Sequence, residues 1–233
     1  MISGFSDMHH HFIYGMDDGA KTYEDMTAML RLAHEDGIRS IIATPHAMPG
    51  LAPFPRNLLL LRLQEARQFC AEESLDLVLY PGAEIMYTPQ AAAMIADGRM
   101  PPLADTKNVL LEFMPDVLYE TLERGIQELL RYGYTPILAH VERYRCLMVR
   151  AKRARRLKEE YPVRFQVNCS TVLSGKGFMT TRTIDSLLRD KLIDCVATDA
   201  HDRVYRVCRM QSAYRMLEKK VGSTYAQVLT GIA

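Results

Sequence analysis

Apolar runs that stop at a polar, chemically capable residue recur along this chain. Residues 39–44 carry Ile41-Ile42-Ala43 and stop at Pro45-His46. Residues 76–80 lead through Gly82-Ala83 to Glu84, and residues 107–111 stop at Glu112. Residues 134–139 stop at His140, 163–167 run to Asn168, and 192–197 run to Asp199. The runs are apolar throughout rather than alternating, the pattern of strands buried on both faces. With the short segment 5–9 they predict seven strands.

Helical periodicity fills the gaps. Met26, Met29, Leu30 and Ala33 fall at i, i+3, i+4 and i+7, with Glu24 and Asp25 in the first turn and Gly37 as a stop. Leu118, Leu122, Ile126, Leu129 and Leu130 repeat the pattern before Gly133, and Ile184, Leu187 and Leu188 mark a shorter helix after Thr180-Thr181. Residues 56–73 and 143–160 also read as helical. The second is strongly basic, and its charges are expected to form a solvated outer face. Strand-helix alternation predicts a parallel sheet covered by helices. Seven such units in 233 residues predict an α/β fold, a distorted seven-stranded β/α barrel forming a single domain over residues 1–233.

Composition narrows the function classes. A net charge of +1 gives no bulk electrostatic case for nucleic acid or a membrane surface. The apolar runs, such as Leu58 to Leu61, are all far short of the ~20 residues that span a bilayer. No secretory signal precedes Asp7, so a cytoplasmic location is expected. Five cysteines, an odd number without Cys-x-x-Cys spacing, argue for reduced thiols rather than disulfides or a thiolate zinc site.

The strand ends then acquire chemical meaning. In parallel barrels the active site lies at the C-terminal ends of the strands. His9 and His11 stand at i and i+2, as do Asp199 and His201, so each pair points to one side of an extended segment. His46, Glu84, Glu112 and His140 end other strands, and Asp17-Asp18 lies in the loop after the first. A single Glu or His at a strand end is more often a cap or a hydrogen-bonded core residue. Placement at six of seven strand ends is the observation that favours a metal centre. Imidazoles and carboxylates without thiolates suit manganese, iron, zinc or magnesium. Asp18, Glu84, Glu112 and Asp199 supply four negative charges against six from three divalent ions, leaving charge for a hydroxide and a phosphate. Paired metals ~3.5–4 Å apart generate a hydroxide nucleophile and clamp an in-line displacement. His10 is expected to face away, His34 to be exposed, and Asp7 to orient a ligand or serve structure.

Arg143 follows His140 by three residues and Arg206 follows His201 by five. Guanidinium forks bind phosphate bidentately and stabilise developing charge. Arg203 and Arg145 are rivals that spacing does not separate. A cysteine nucleophile of the Cys-x5-Arg type is disfavoured. Six residues beyond the five cysteines stand Asp76, Lys152, Gly175, His201 and Tyr214, none an arginine.

The ordered set Asp7-x-His9-x-His11, Asp17-Asp18-Gly19, Thr44-Pro45-His46, Gly82-Ala83-Glu84, Leu111-Glu112-Phe113, Ala139-His140-x-Glu142-Arg143-Tyr144 and Thr198-Asp199-Ala200-His201 resembles the PHP (polymerase and histidinol phosphatase) superfamily. More closely, it is similar to the metal-dependent protein-tyrosine phosphatases of bacterial capsule and exopolysaccharide loci. The resemblance spans residues 7–206. It implies a trinuclear site, most often manganese, with iron, zinc, cobalt or magnesium as alternatives. Its ligands would be His9, His11, Asp18, His46, Glu84, Glu112, His140, Asp199 and His201. It implies catalytic, phosphate-contacting roles for Arg143 and Arg206. The implied substrate is the phosphotyrosine tail of a bacterial tyrosine kinase controlling polysaccharide export. Asp202 stands where the family commonly has Asn, Val207-Cys208 replaces its proline-containing segment, and the loop 47–55 has its own sequence. Another PHP phosphoesterase, acting on histidinol phosphate or a nucleotide, and a non-catalytic phosphotyrosine-binding module are the competing readings.

Overall fold

The computed structural model describes residues 4–232. In chain order its elements are β1 (Phe5–His10), α1 (Tyr23–Glu35), β2 (Ile38–Ala43), β3 (His46–Ala47), α2 (Arg56–Glu72), β4 (Val78–Tyr80), β5 (Glu84–Met86) and α3 (Ala91–Ala96). There follow β6 (Asn108–Glu112), α4 (Tyr119–Arg131), β7 (Thr135–Leu138), α5 (Arg145–Met148), α6 (Ala151–Glu160), β8 (Arg164–Asn168), α7 (Cys169–Ser174), α8 (Phe178–Arg189), β9 (Cys195–Ala197), α9 (Met210–Val221) and α10 (Ser223–Thr230). The fold is mixed α/β with a curled parallel sheet.

The seven expected strands are present as nine, in two parallel sheets ordered β1-β2-β4 and β3-β5-β6-β7-β8-β9. This departs from the single closed barrel expected, and proline is the reason. Pro45 falls between β2 and β3, and Pro81 between β4 and β5. Proline has no N–H to give a ladder, so both strands break at the same level. The ladder restarts where the Glu84 N–H donates to the Pro45 carbonyl at 3.2 Å. Gly82 is required beside the break, because a Cβ there would meet Ile42 Cγ2 at 2.9 Å and Leu103 Cδ2 at 3.0 Å.

The two ends of the strand series meet. Asp199 N–H donates to the His9 carbonyl and His11 N–H to the Ala200 carbonyl, both at 2.9 Å, with a parallel bridge between His10 and Ala200. Asp7 fastens this junction, accepting from the Thr198 N–H at 3.0 Å and from the Thr198 hydroxyl. Its role is therefore structural. Burial pushes its carboxyl up to about 6, against the hydrogen bonds from Thr198.

The helices follow the expected periodicity where it was strong. Thr22 caps α1, accepting from the Asp25 N–H at 3.2 Å, and the Asp25 carboxylate accepts from the Thr22 N–H at 3.3 Å. That reciprocal pair is a capping box. Leu122, Ile126 and Leu129 of α4 are fully buried, and Gly125 lets the helix close on Phe113 and Tyr87. The segment 143–160 is not one helix. It divides at Arg150, which has extended rather than helical φ. Nor is its basic face merely solvated: Lys158 reaches both oxygens of Asp194 at 2.6 and 2.8 Å, and Arg153 lies over the Tyr119 ring. His34 is half-buried rather than exposed. Helices α9 and α10, unassigned from sequence, pack against β1 and bury Met210, Ala213, Leu217, Ala226 and Leu229.

Burial at Leu122 predicts that Leu122→Ala costs about 2–5 kcal/mol of stability, and loss of the α1 cap in Thr22→Ala about 1 kcal/mol. Urea denaturation reads both, with the midpoint shifted and the m value unchanged.

Candidate metal centre

The interruptions and loops that end the strands bring nine expected residues to one place. His9 lies in β1 and His11 just beyond it. His46 and Glu84 open β3 and β5, immediately after the proline breaks. Glu112 closes β6, and His140, Asp199 and His201 follow β7 and β9. Asp18 comes from the loop before α1. His140 and Asp199 both have left-handed backbone, at φ 32° and 52°. Such conformations cost on the order of 1–3 kcal/mol in a non-glycine residue and persist only where surrounding contacts impose them.

Glu84 is the hub. Its Oε1 is 2.7 Å from His140 Nε2. Its Oε2 is 3.1 Å from His9 Nε2, 3.1 Å from His46 Nδ1 and 3.4 Å from His11 Nε2. Asp199 Oδ1 lies 3.3 Å from His9 Nε2 and 3.5 Å from His201 Nδ1. Asp18 Oδ1 lies 3.4 Å from His46 Nε2 and 3.3 Å from His201 Nε2. Glu112 approaches His140 at 3.4 Å and His46 at 3.5 Å. Three groups have donor atoms within 4.8 Å of one another: His11, Asp18, His46 and His201; His9, His11, Glu84 and Asp199; and His46, Glu84 and Glu112. His11, His46 and Glu84 are shared, which links the groups into one cluster. The decisive detail is that Glu84 Oε2 and His201 Nε2 are buried without a hydrogen-bond partner. Contacts of the right length but the wrong direction leave these lone pairs free, and a cation would satisfy them. The donor set fits divalent ions.

Titration agrees. Burial alone would depress His11, but its hydrogen bond to Asp17 and the nearby Asp17 and Glu84 charges raise it to about 10. His140 rises to about 9 against its own burial, held by Glu112 and Glu84. Glu84 is buried, yet the charge of His9, the closeness of His11 and the His140 hydrogen bond hold it well below the usual carboxylate range. Protons thus balance the buried carboxylates, and a bound cation displaces them. His201 moves the other way, to about 3, through burial and the nearby charge of His11.

Several contributors were missed from sequence. Asp17 Oδ2 is 2.7 Å from His11 Nδ1 and accepts the His46 N–H at 2.9 Å, while its Oδ1 accepts the Gly19 N–H at 2.8 Å. It fixes the ring whose other nitrogen faces Glu84. Strand β8 carries no imidazole or carboxylate, but its Gln166 Oε1 lies 3.1 Å from His9 Nδ1 and accepts the His140 N–H at 2.7 Å. Gln166 Nε2 donates to Asn168 Oδ1, and Asn168 Nδ2 donates to Asp199 Oδ2, each at 2.7 Å. Their i, i+2 spacing was the available signal. Glu142 is buried and accepts from the Asn168 N–H and the Thr171 hydroxyl, which seats α7.

Arg143 and Arg206 converge on Asp199 Oδ2, each through Nη2 at 2.8 Å. Of the rivals, Arg203 is exposed and pairs with Asp25 at 3.7 Å, and Arg145 is exposed on α5. Asp202 shapes the Arg206 loop: Oδ1 accepts from Val204 at 2.6 Å and Tyr205 at 2.5 Å, and Oδ2 from Arg206 at 3.1 Å. Asn at this position would offer one acceptor oxygen where the carboxylate uses two. His10 faces away, with Nε2 3.3 Å from Cys208 Sγ, and burial with the His11 charge lowers it to about 3.

A curled parallel sheet carrying clustered imidazoles and carboxylates at its strand ends defines an α/β protein whose donor groups could hold metal ions. The chain belongs to the capsular polysaccharide synthesis family CpsB/CapC, whose sequence model matches residues 5–231. It is 33% identical to the tyrosine-protein phosphatase CpsB of Streptococcus pneumoniae over 96% of this chain and 93% of that protein. It is 31% identical to the tyrosine-protein phosphatase YwqE of Bacillus subtilis, over 96% and 88%. A crystal structure in a study of YwqE and CpsB, described as unique metal-dependent tyrosine phosphatases, superposes with a TM-score of 0.87 at 31% identity, covering 97% of this chain and 91% of that one. Dihydropyrimidinase from Brevibacillus agri, at 11% identity and a TM-score of 0.57 over 98% of this chain and 69% of that one, shares the fold alone.

Removing the carboxylate that orients His11 has a measurable expectation. Asp17→Ala should weaken manganese binding about 10–100-fold, read by competition with a chromophoric chelator. An unchanged affinity would remove Asp17 from the assembly.

Proposed function

We propose that this chain is a metal-dependent protein-tyrosine phosphatase acting on the phosphotyrosine tail of a bacterial tyrosine kinase that controls polysaccharide export. The observation that carries this reading is the buried, unsatisfied Glu84 oxygen at the centre of the imidazole-carboxylate cluster, bordered by the two arginines on Asp199. The phosphatase relatives support the substrate class.

His9, His11, Asp18, His46, Glu84, Glu112, His140, Asp199 and His201 would hold the ions, three per chain and manganese foremost, with iron, zinc, cobalt or magnesium as alternatives. Divalent ions so held would supply a hydroxide nucleophile at neutral pH and neutralise charge on the phosphoryl oxygens. Arg143 and Arg206 grip those oxygens and stabilise the charge that builds on them in the transition state. Asp17 and Gln166 keep the His11 and His9 rings in register. Phosphoryl transfer of this kind is positioning and charge neutralisation, with no covalent enzyme intermediate required. A tyrosine phenolate, with a free pKa of ~10, leaves more readily than an alkoxide, which relaxes the need for a strong general acid.

The two sheets meet where β1 adjoins the segment after β9, and we read the curled assembly as a single domain. No helix is long and apolar enough to cross a membrane among the described residues, and all five cysteines are free. Both features suit work in the cytoplasm on a kinase tail.

Phosphate release from a phosphotyrosyl peptide with manganese tests the proposal. Chelator and His46→Ala should each abolish it. Arg206→Ala should lower kcat/KM about 10²–10³-fold, while Arg203→Ala leaves it unchanged. A large preference for histidinol phosphate, or peptide binding without release under any metal, overturns it.

A further inference from the structure

Asp199 has two faces. Its Oδ1 looks toward His9, His11 and His201, and its Oδ2 accepts from Arg143, Arg206 and Asn168. Beside Asp199 lies a cavity of about 290 Å³ whose lining includes Asp199 but no imidazole. Its walls include Arg143, Lys176, Arg206 and Arg209, and Asp199 is their only carboxylate. Asp199 is already engaged by Arg143 and Arg206 at 2.8 Å each. Lys176 and Arg209 have no ion-pair partner among the described residues. Ser170, Ser174 and Tyr205 add hydroxyls to the same wall.

Convergent cations normally separate or recruit acidic partners, because like charges in a concave, partly dehydrated site repel. Lys176 and Arg209 stand exposed at the cavity rim, and partial desolvation with the neighbouring Arg143 charge lowers the Lys176 ammonium. The loop bearing Tyr205 and Arg206 is pinned by Asp202, and the His201 N–H donates to the Arg206 carbonyl at 2.9 Å, so this wall is held in place. Successive residues of an extended peptide advance ~3.3–3.6 Å. That advance is of the scale needed for a residue one or two positions from the reacting tyrosine to meet a cavity that shares Asp199, Arg143 and Arg206 with the cluster.

We propose that this cavity is a second anion subsite, in which Lys176 and Arg209 bind an anionic side chain, a carboxylate or a further phosphoryl group, next to the scissile phosphotyrosine. The proposal rests on the phosphatase reading and adds a sequence preference to it.

Peptides carrying a non-hydrolysable phosphonate in place of phosphotyrosine, flanked by Ala, Glu or phosphotyrosine, test it by fluorescence anisotropy on the manganese-loaded protein. The acidic flanks should bind at least 10-fold more tightly than Ala, and Lys176→Ala with Arg209→Ala should bring the affinities together. The Glu and phosphotyrosine arms show which anion the subsite takes. Equal affinities in the unmodified protein, or a double variant that weakens all peptides alike, overturn the subsite. Turnover of the Ala-flanked phosphotyrosyl peptide is measured separately. Its absence overturns the phosphatase reading, while the anisotropy result still decides whether the cavity holds an anion.

Discussion

A carboxylate with no access to water must be neutralised, and Glu84 sets that requirement at the centre of this molecule. An isolated buried charge costs many kcal/mol and instead changes protonation or finds partners. Glu84 finds four imidazoles, contributed by β1, the segment just beyond it, β3 and the turn after β7. Each must arrive from a different part of the chain. The proline breaks, the left-handed backbone at His140 and the β1–β9 junction are the means of bringing them there. Asp17 and Gln166 then fix ring orientation by occupying the nitrogens that face away from the carboxylate.

Proline has a double effect. By denying a ladder hydrogen bond in β2/β3 and β4/β5, it divides the sheet. The same division turns His46 and Glu84 toward the centre as the first residues of new strands. Their register is direct, His46 opposite Glu84 and Ala47 opposite Ile85. Uninterrupted strands would continue the apolar series and leave those side chains committed to its alternation.

Much of the donor set was legible in the sequence because ligand types at strand ends, spaced by two, have few other uses in combination. What escaped has physical reasons. Asp17 adjoins Asp18, and only the path of the loop decides which carboxylate meets His11 and which meets His46. Gln166 and Asn168 are amides, so a search for charged or imidazole donors passes over them, although β8 points both side chains to one face. The proline interruptions were visible as residues, but their alignment in neighbouring strands depends on register. Helices α9 and α10 left a weak trace, Met210, Ala213 and Leu217 at i, i+3 and i+7, in a region without chemical motifs. Left-handed φ at His140 and Asp199 leaves no mark in residue identity at all, since glycine is absent from both positions.

The junction between β1 and β9 also has a consequence in time. His9 and Asp199 are 190 positions apart, yet their backbones share a hydrogen bond and their side chains face one carboxylate cluster. Contacts of such long sequence separation form late and slow the search for the native state. A ribosome that has released the first strand still lacks two of the nine donors until β9 and the loop beyond it emerge. Until then the imidazoles near the start of the chain can hold an ion only loosely. In the proposed enzyme, full occupancy of the centre would therefore report that the last strand has docked.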